Sequence, residues 1–137
     1  ALADTREFCA HYGYALSHSA NVIVAAGKTE PQCYAACVLL ATTRLDVNRS
    51  VRKRLGVSRA SFASADETRA LTDMEIGGLT PFGLPELLPL WIDQRVMELD
   101  YVLLGGGSRA IKIKIAPRVF RHMPNATIVE GLAKDPA

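Results

Sequence analysis

The sequence has no apolar run near the length of a membrane-spanning helix, and no basic-then-apolar leader opens it. No bilayer partner is expected, and the cytoplasm is the expected compartment. Cysteine is scarce. Cys9, Cys33 and Cys37 make an odd number without metal-ligand spacing. Cys33 and Cys37 fall within an apolar run, which reads as buried free thiols in a reducing compartment. The three histidines are scattered. Glu7 and His11 would share a helical face, but no third ligand accompanies them, so a metal site is not expected. No serine stands in a G-x-S-x-G elbow, which removes the usual mark of a serine hydrolase. Gly105-Gly106-Gly107-Ser108 has neither the fingerprint and following helix of a dinucleotide site nor the lysine of a P-loop. The cysteines have no evident histidine partner for a thiol nucleophile. Repeats, linkers and low-complexity segments are also missing.

What is present fits one globular domain: 137 residues, 49% hydrophobic and 22% charged. A net charge of +2 is too small to imply a nucleic-acid partner, so local clustering carries more weight. The most unusual stretch is Met74 to Pro85, where Gly77, Gly78 and Gly83 alternate with Pro81 and Pro85. Glycine permits positive φ and close backbone approach, whereas proline fixes φ and removes a donor. The stretch reads either as a plain connection with two tight turns or as a shaped loop offering bare peptide groups to a ligand.

Taken in order, Asp4 and Glu7 have capping-box spacing for a helix that Gly13 would end, with Phe8 and Tyr12 on one face. Asn21 to Ala26 and Cys33 to Ala41 are apolar on both alternating faces, and Gly27 to Pro31 between them marks a hairpin of two central strands. Asp46 caps a helix in which Val47, Val51 and Leu55 recur and Gly56 closes. Its other face carries Arg49, Arg52, Lys53 and Arg54, with Arg44 before and Arg59 after. Arg49 and Lys53 are four apart, a like-charge pair that costs a few tenths of a kcal/mol on an isolated helix. This stripe is either a solvated face or one that meets phosphates.

Arg59 to Phe62 reads as a short strand, and Ser64 with Glu67 caps a helix to about Leu71. Strands are predicted at Leu90–Asp93, Tyr101–Leu104 and Ala126–Val129, and a helix from Pro117 to about His122. Ala110 to Ile115 alternates, with isoleucine inside and Lys112 and Lys114 outside. The order of elements is mixed α/β with several hairpin-like pairings, and it does not alternate strictly enough for a doubly wound sheet.

Gly77-Gly78-Leu79-Thr80-Pro81-Phe82-Gly83 resembles the GG-x-[ST]-P-x-G loop of the YbaK/ProX family. Leu40-Ala41-Thr42-Thr43-Arg44-Leu45-Asp46-Val47-Asn48 and Gly105-Gly106-Gly107-Ser108-Arg109 support the match, which runs from about Asp4 to Val129. These proteins are trans-acting aminoacyl-tRNA deacylases related to the editing domain of bacterial prolyl-tRNA synthetases. The resemblance implies one α/β domain over 1–137, with a mixed, partly barrel-like sheet surrounded by helices and a pocket at one end. It implies that the Gly77 carbonyl orients the attacking water, and that no metal or cofactor is needed. It further implies that Gly78 and Thr80 shape the amino-acid pocket, that Pro81 and Gly83 hold the turn, and that Gly105, Gly106, Gly107 and Ser108 form the opposite wall. Three positions depart from the family pattern. Asn21 stands where the family has its signature lysine, and Gly105 stands where some members carry a serine. The match is expected to start at the family's second helix, without its first strand and helix. The substrate would be a mischarged tRNA, touched by Asn21 at the ester and by Arg49, Arg52 and Lys53 at phosphates. Alternatives are a weakened tRNA- or nucleotide-binding module of the same fold, and a domain acting beside an aminoacyl-tRNA synthetase.

Overall fold

The apolar hairpin forms in the computed structural model, which describes residues 16–74, 78–107 and 111–136. The helix expected between Asp4 and Gly13 lies outside the described residues. Strand β1 (Ala20–Gly27) pairs antiparallel with β2 (Cys33–Leu40), Ala20 opposite Leu40 and Gly27 opposite Cys33. Both are interior strands of a five-stranded sheet, which also holds β4 (Ala60–Phe62), β5 (Leu90–Asp93) and β8 (Ala126–Val129) in the order β4-β1-β2-β5-β8. β5 runs parallel to both β2 and β8, so the sheet is mixed.

Alternation along these strands makes two faces. One carries Val22, Val38, Leu90 and Ile92, buried against Val96, Val102, Leu104 and Phe120. The other carries Ala25, Cys37, Leu39 and Trp91, buried against Val51, Val129 and Leu132. Burial pushes the Cys37 thiol up to about 12. It is therefore protonated at neutral pH and packs as a small apolar group. Cys33 and Cys37 are both free, with Cys33 only partly buried.

Helix α1 begins as a π-helical turn over Val47–Val51 and continues as an α-helical turn over Arg52–Leu55. Asp46 caps it, its side chain accepting from the Arg49 N–H at 3.3 Å. Gly56 closes it at φ +69°, the left-handed conformation that a side chain disfavours. Helix α2 (Ala65–Thr72) carries the expected capping box. The Glu67 N–H donates to Ser64 Oγ at 3.0 Å, and the Ser64 N–H donates to Glu67 Oε1 at 2.9 Å. A short α3 (Gln94–Met97) follows β5 directly, and a 3₁₀ turn occupies Pro117–His122.

Two small ribbons flank the sheet. β3 (Arg44–Leu45) pairs with β9 (Ala133–Lys134), and β6 (Val102–Gly105) pairs antiparallel with β7 (Lys112–Ile115). The sheet does not close toward a barrel. Its edge strands β4 and β8 do not pair with each other, and closure requires that they do. β4 spans only three residues and covers β1 only from Ala25 to Gly27. On that side, no strand among the described residues pairs with Ala20–Val24, although the preceding Ser19 forms a single parallel bridge with Leu103. The half-open edge of β1 matters for the site.

At the end of β5, Asp93 is buried and its Oδ1 accepts from the Ala133 N–H at 3.2 Å, holding β9 to the sheet. Burial raises its carboxyl above the usual range despite that bond and the nearby Arg95 guanidinium. The folded chain thus favours the neutral acid. The stability it contributes is complete below the ordinary carboxylate pKa and is lost as pH rises through the raised value. Asp93→Asn keeps the acceptor and removes the titration. The melting temperature of the variant minus that of the natural chain should grow as pH rises above about 4. A difference that stays constant from acid to neutral pH would show that Asp93 titrates normally.

Candidate functional site

The open half of β1 forms one wall of a cavity of about 340 Å³. Ser19 to Val24 supply that wall, Ala63 with Ala65 and Thr68 of α2 a second, and Leu79 with Leu103, Leu104, Gly105 and Lys112 a third. The volume falls in the range of small-ligand sites. Each wall has a local cause. α2 is fixed at its start by the capping box and tied to β2 by the Tyr34 hydroxyl, which donates to Glu67 Oε2 at 2.5 Å. That bond holds the Glu67 carboxyl below its usual range, helped by the Ser64 N–H, and it raises the Tyr34 phenol. The chain leaving β4 is anchored by the Ala63 N–H, which donates to the Val24 carbonyl at 2.9 Å.

The third wall exists because two glycine-rich segments touch. The Gly107 N–H donates to the Gly78 carbonyl at 2.7 Å. A Cβ on Gly105 would lie 2.3 Å from the Leu79 carbonyl oxygen and 2.9 Å from the Gly78 carbonyl carbon, so only glycine fits there. The Gly106 N–H donates to the Ile111 carbonyl at 2.9 Å, closing the end of the β6–β7 ribbon. The described parts of the two loops are in backbone contact, and the cavity lies beside that contact, along the edge of β1.

The expected site residues divide accordingly. Asn21 and Gly105 line the cavity. Asn21 does so from the strand's open edge, paired with Leu39 and hence on the face of the sheet that Leu39 shares. Gly78 and Gly107 make the loop-to-loop bond behind the wall. Thr80 and Pro81 are buried, and Thr80 Oγ1 has no hydrogen-bond partner among the described residues. Gly83 is exposed at φ +74°. Gly77 and Ser108 lie outside the described residues. Arg49, Arg52 and Lys53 are exposed on α1 and do not line the cavity. α1 packs by Val51 on the opposite core from the ribbon.

Sequence reasoning missed Ser19, Ala63, Thr68 and Lys112. The first three have no signal beyond their neighbours, since the walls join segments far apart in the chain. Lys112 was assigned to the outside by the isoleucine alternation. Its partner in the ribbon is Gly105. Val102, Leu104 and Ile115 pack on the core, and the other face of the ribbon, with Leu103, Gly105 and Lys112, meets the cavity. Lys114, on that same face, is exposed and sits 4.5 Å from the Tyr101 ring centroid.

A family model for the aminoacyl-tRNA editing domain matches residues 1–122. The chain belongs to that family. Two solved structures illustrate how closely the editing-domain fold is kept. Hypothetical protein APE2540 superposes with a TM-score of 0.85 at 23% identity, over 96% of this chain and 85% of that one. A candidate trans-editing enzyme for prolyl-tRNA synthetase superposes with a TM-score of 0.83 at 20% identity, over 98% of this chain and 82% of its own. At those identities the likeness is one of fold.

The editing domain's third wall makes a direct prediction. Gly105→Ala or Gly105→Ser should force the Gly78–Leu79 backbone aside, at a cost of about 1–3 kcal/mol for an overpacked contact. The melting temperature should fall by roughly 3–10 °C, readable by circular dichroism. An unchanged melt would mean that the two loops part freely and do not form a fixed wall.

Proposed function

We propose that this editing domain is an aminoacyl-tRNA deacylase, a carboxylic ester hydrolase that clears mischarged tRNA. One observation carries the reading. In a chain of this family, a cavity of small-ligand size adjoins the Gly78–Gly83 loop and is lined by Asn21 and Gly105. The aminoacyl ester is an activated acyl group, so hydrolysis asks mainly for an oriented carbonyl and a placed water. The Gly77 carbonyl accepts a hydrogen bond from that water and aims its oxygen at the ester carbon. The water adds, the bond from carbon to ribose oxygen breaks, and the departing oxygen takes a proton. The neighbouring hydroxyl of the terminal ribose relays it. The products are a free amino acid and an uncharged tRNA. The Asn21 amide donates to the ester carbonyl or to a phosphate oxygen. Arg49, Arg52 and Lys53 meet backbone phosphates away from the cavity.

A second reading has one observation in its favour. Asn21 is a neutral amide, and its bond to a carbonyl is roughly half as strong as a charge-assisted one. A chain so equipped could bind an aminoacyl-adenosine end without turning it over.

Incubation with a panel of mischarged tRNAs separates the two. The natural chain should deacylate at least one of them. Asn21→Ala should lower the rate by roughly three- to tenfold, the scale of one neutral hydrogen bond, and Asn21→Lys should raise it. Binding of aminoacyl-adenosine analogues without hydrolysis of any tRNA would favour the binding module. Replacing Arg49 and Lys53 with glutamine should lower the salt slope of tRNA binding by about one per charge removed. An unchanged slope would make the stripe a solvated face.

A further inference from the structure

Phe62 closes β4 and is 56% exposed, the one phenylalanine, tyrosine or tryptophan among the described residues that stands mainly in solvent. Phe82 and Phe120, by contrast, stack on each other at the core, their ring centroids 6.2 Å apart. A single exposed phenyl is ordinary by itself. Its position is not. Phe62 pairs with Ala25, which belongs to the core under α1, and Ala60, two residues earlier on the same face, packs on that core. The phenyl therefore lies on the α1 side of the sheet. Asn21 and Ile23 share that side through their partners Leu39 and Cys37, and both line the cavity. Ala63, the residue after Phe62, lines it too, about 3.8 Å further along the chain. The Val47–Val51 turn of α1 contacts β4, and Arg49, Arg52 and Lys53 of α1 are exposed, as is Arg59 just before β4. One side of the sheet thus carries a basic surface, an exposed ring and a cavity wall next to one another.

From this juxtaposition we infer that Phe62 is a stacking platform for the base next to the terminal one of a single-stranded RNA end. The inference rests on the reading that such an end enters the cavity. The terminal nucleoside lies along β1, and the base before it leaves the cavity past Ala63 and rests on the phenyl face. The strand then runs on toward α1, whose cations meet its phosphates. Stacking suits this position because every base has a π-face, so the contact accepts any base and asks only that the end be unpaired. A fully paired end keeps its penultimate base inside the helical stack and cannot lay it on the ring. Phe62 is accordingly a positioning residue that favours single-stranded ends and takes no part in bond making.

The test uses the full chain and two RNA trinucleotides ending in adenosine. They differ only at the middle position, where one carries a base and the other an abasic ribose, and binding is followed by calorimetry or amide chemical shifts. The natural chain should bind the base-bearing probe roughly five- to tenfold more tightly, the lower part of the range for stacking on an aromatic side chain. Phe62→Ala should remove that preference while binding the abasic probe as before, which also shows that the variant is folded. Phe62→Leu, apolar but without a ring, should behave like the alanine variant, and Phe62→Trp should keep the preference. In deacylation assays Phe62→Ala should raise KM for aminoacyl-tRNA with kcat largely kept, and should leave hydrolysis of aminoacyl-adenosine unchanged. A preference that survives in Phe62→Ala overturns the inference, as does equal loss of both probes or failure of both to bind the natural chain. So does a natural chain that sediments as a dimer and becomes a monomer in Phe62→Ala, because a second copy would then cover the ring. The two readings fail separately. Hydrolysis of tRNA with a Phe62-independent preference removes only the role given to Phe62. A Phe62-dependent preference with no tRNA hydrolysed removes only the deacylase.

Discussion

The site depends on a backbone contact between segments about thirty residues apart, in which the Gly107 N–H meets the Gly78 carbonyl at 2.7 Å and Gly105 lies against Leu79 with no room for a side chain. That contact joins the β6–β7 ribbon to the loop that follows α2. It works because glycine lets two peptide planes approach to hydrogen-bonding distance, which a Cβ would prevent. The ribbon is held independently on its apolar side, where Val102, Leu104 and Ile115 enter the core. With both faces engaged, the ribbon can stand as a wall beside the open half of β1.

The rest of the architecture supplies support and leaves one edge uncovered. β4 is too short to cover all of β1, and α2 takes over where β4 stops, fastened by its capping box and by the Tyr34–Glu67 bond. The uncovered stretch of β1 thus faces the cavity instead of a neighbouring strand. Cys37 is buried in the core shared by Leu39, Val51 and Trp91, and burial keeps its thiol protonated.

Basic side chains cluster on α1, which presents Arg49, Arg52 and Lys53 to solvent over one core, while Arg54 rests 5.9 Å from the Trp91 ring centroid. The first three do not line the cavity. A broad basic surface suits a polyanionic backbone at low specificity.

The local elements were legible in the residues because short-range physics decides them. Ser64 and Glu67 define the start of α2, Asp46 and Gly56 bracket α1, and Pro117 opens the turn that ends at His122. The uninterrupted apolar run of β1 and β2 placed both strands inside the sheet. The glycine–proline loop also carried the resemblance to the family that the chain belongs to. Other features needed the third dimension. The parallel pairing of β5 with β2 and β8, the two-residue strands β3 and β9, and the π-helical turn of α1 come from long-range packing that no local pattern encodes. The cavity belongs to the same class. Alternation along β7 could say that Lys112 faces away from the isoleucines, but only the meeting of Gly105 with Leu79 and Gly78 turned that outer face toward an enclosed space.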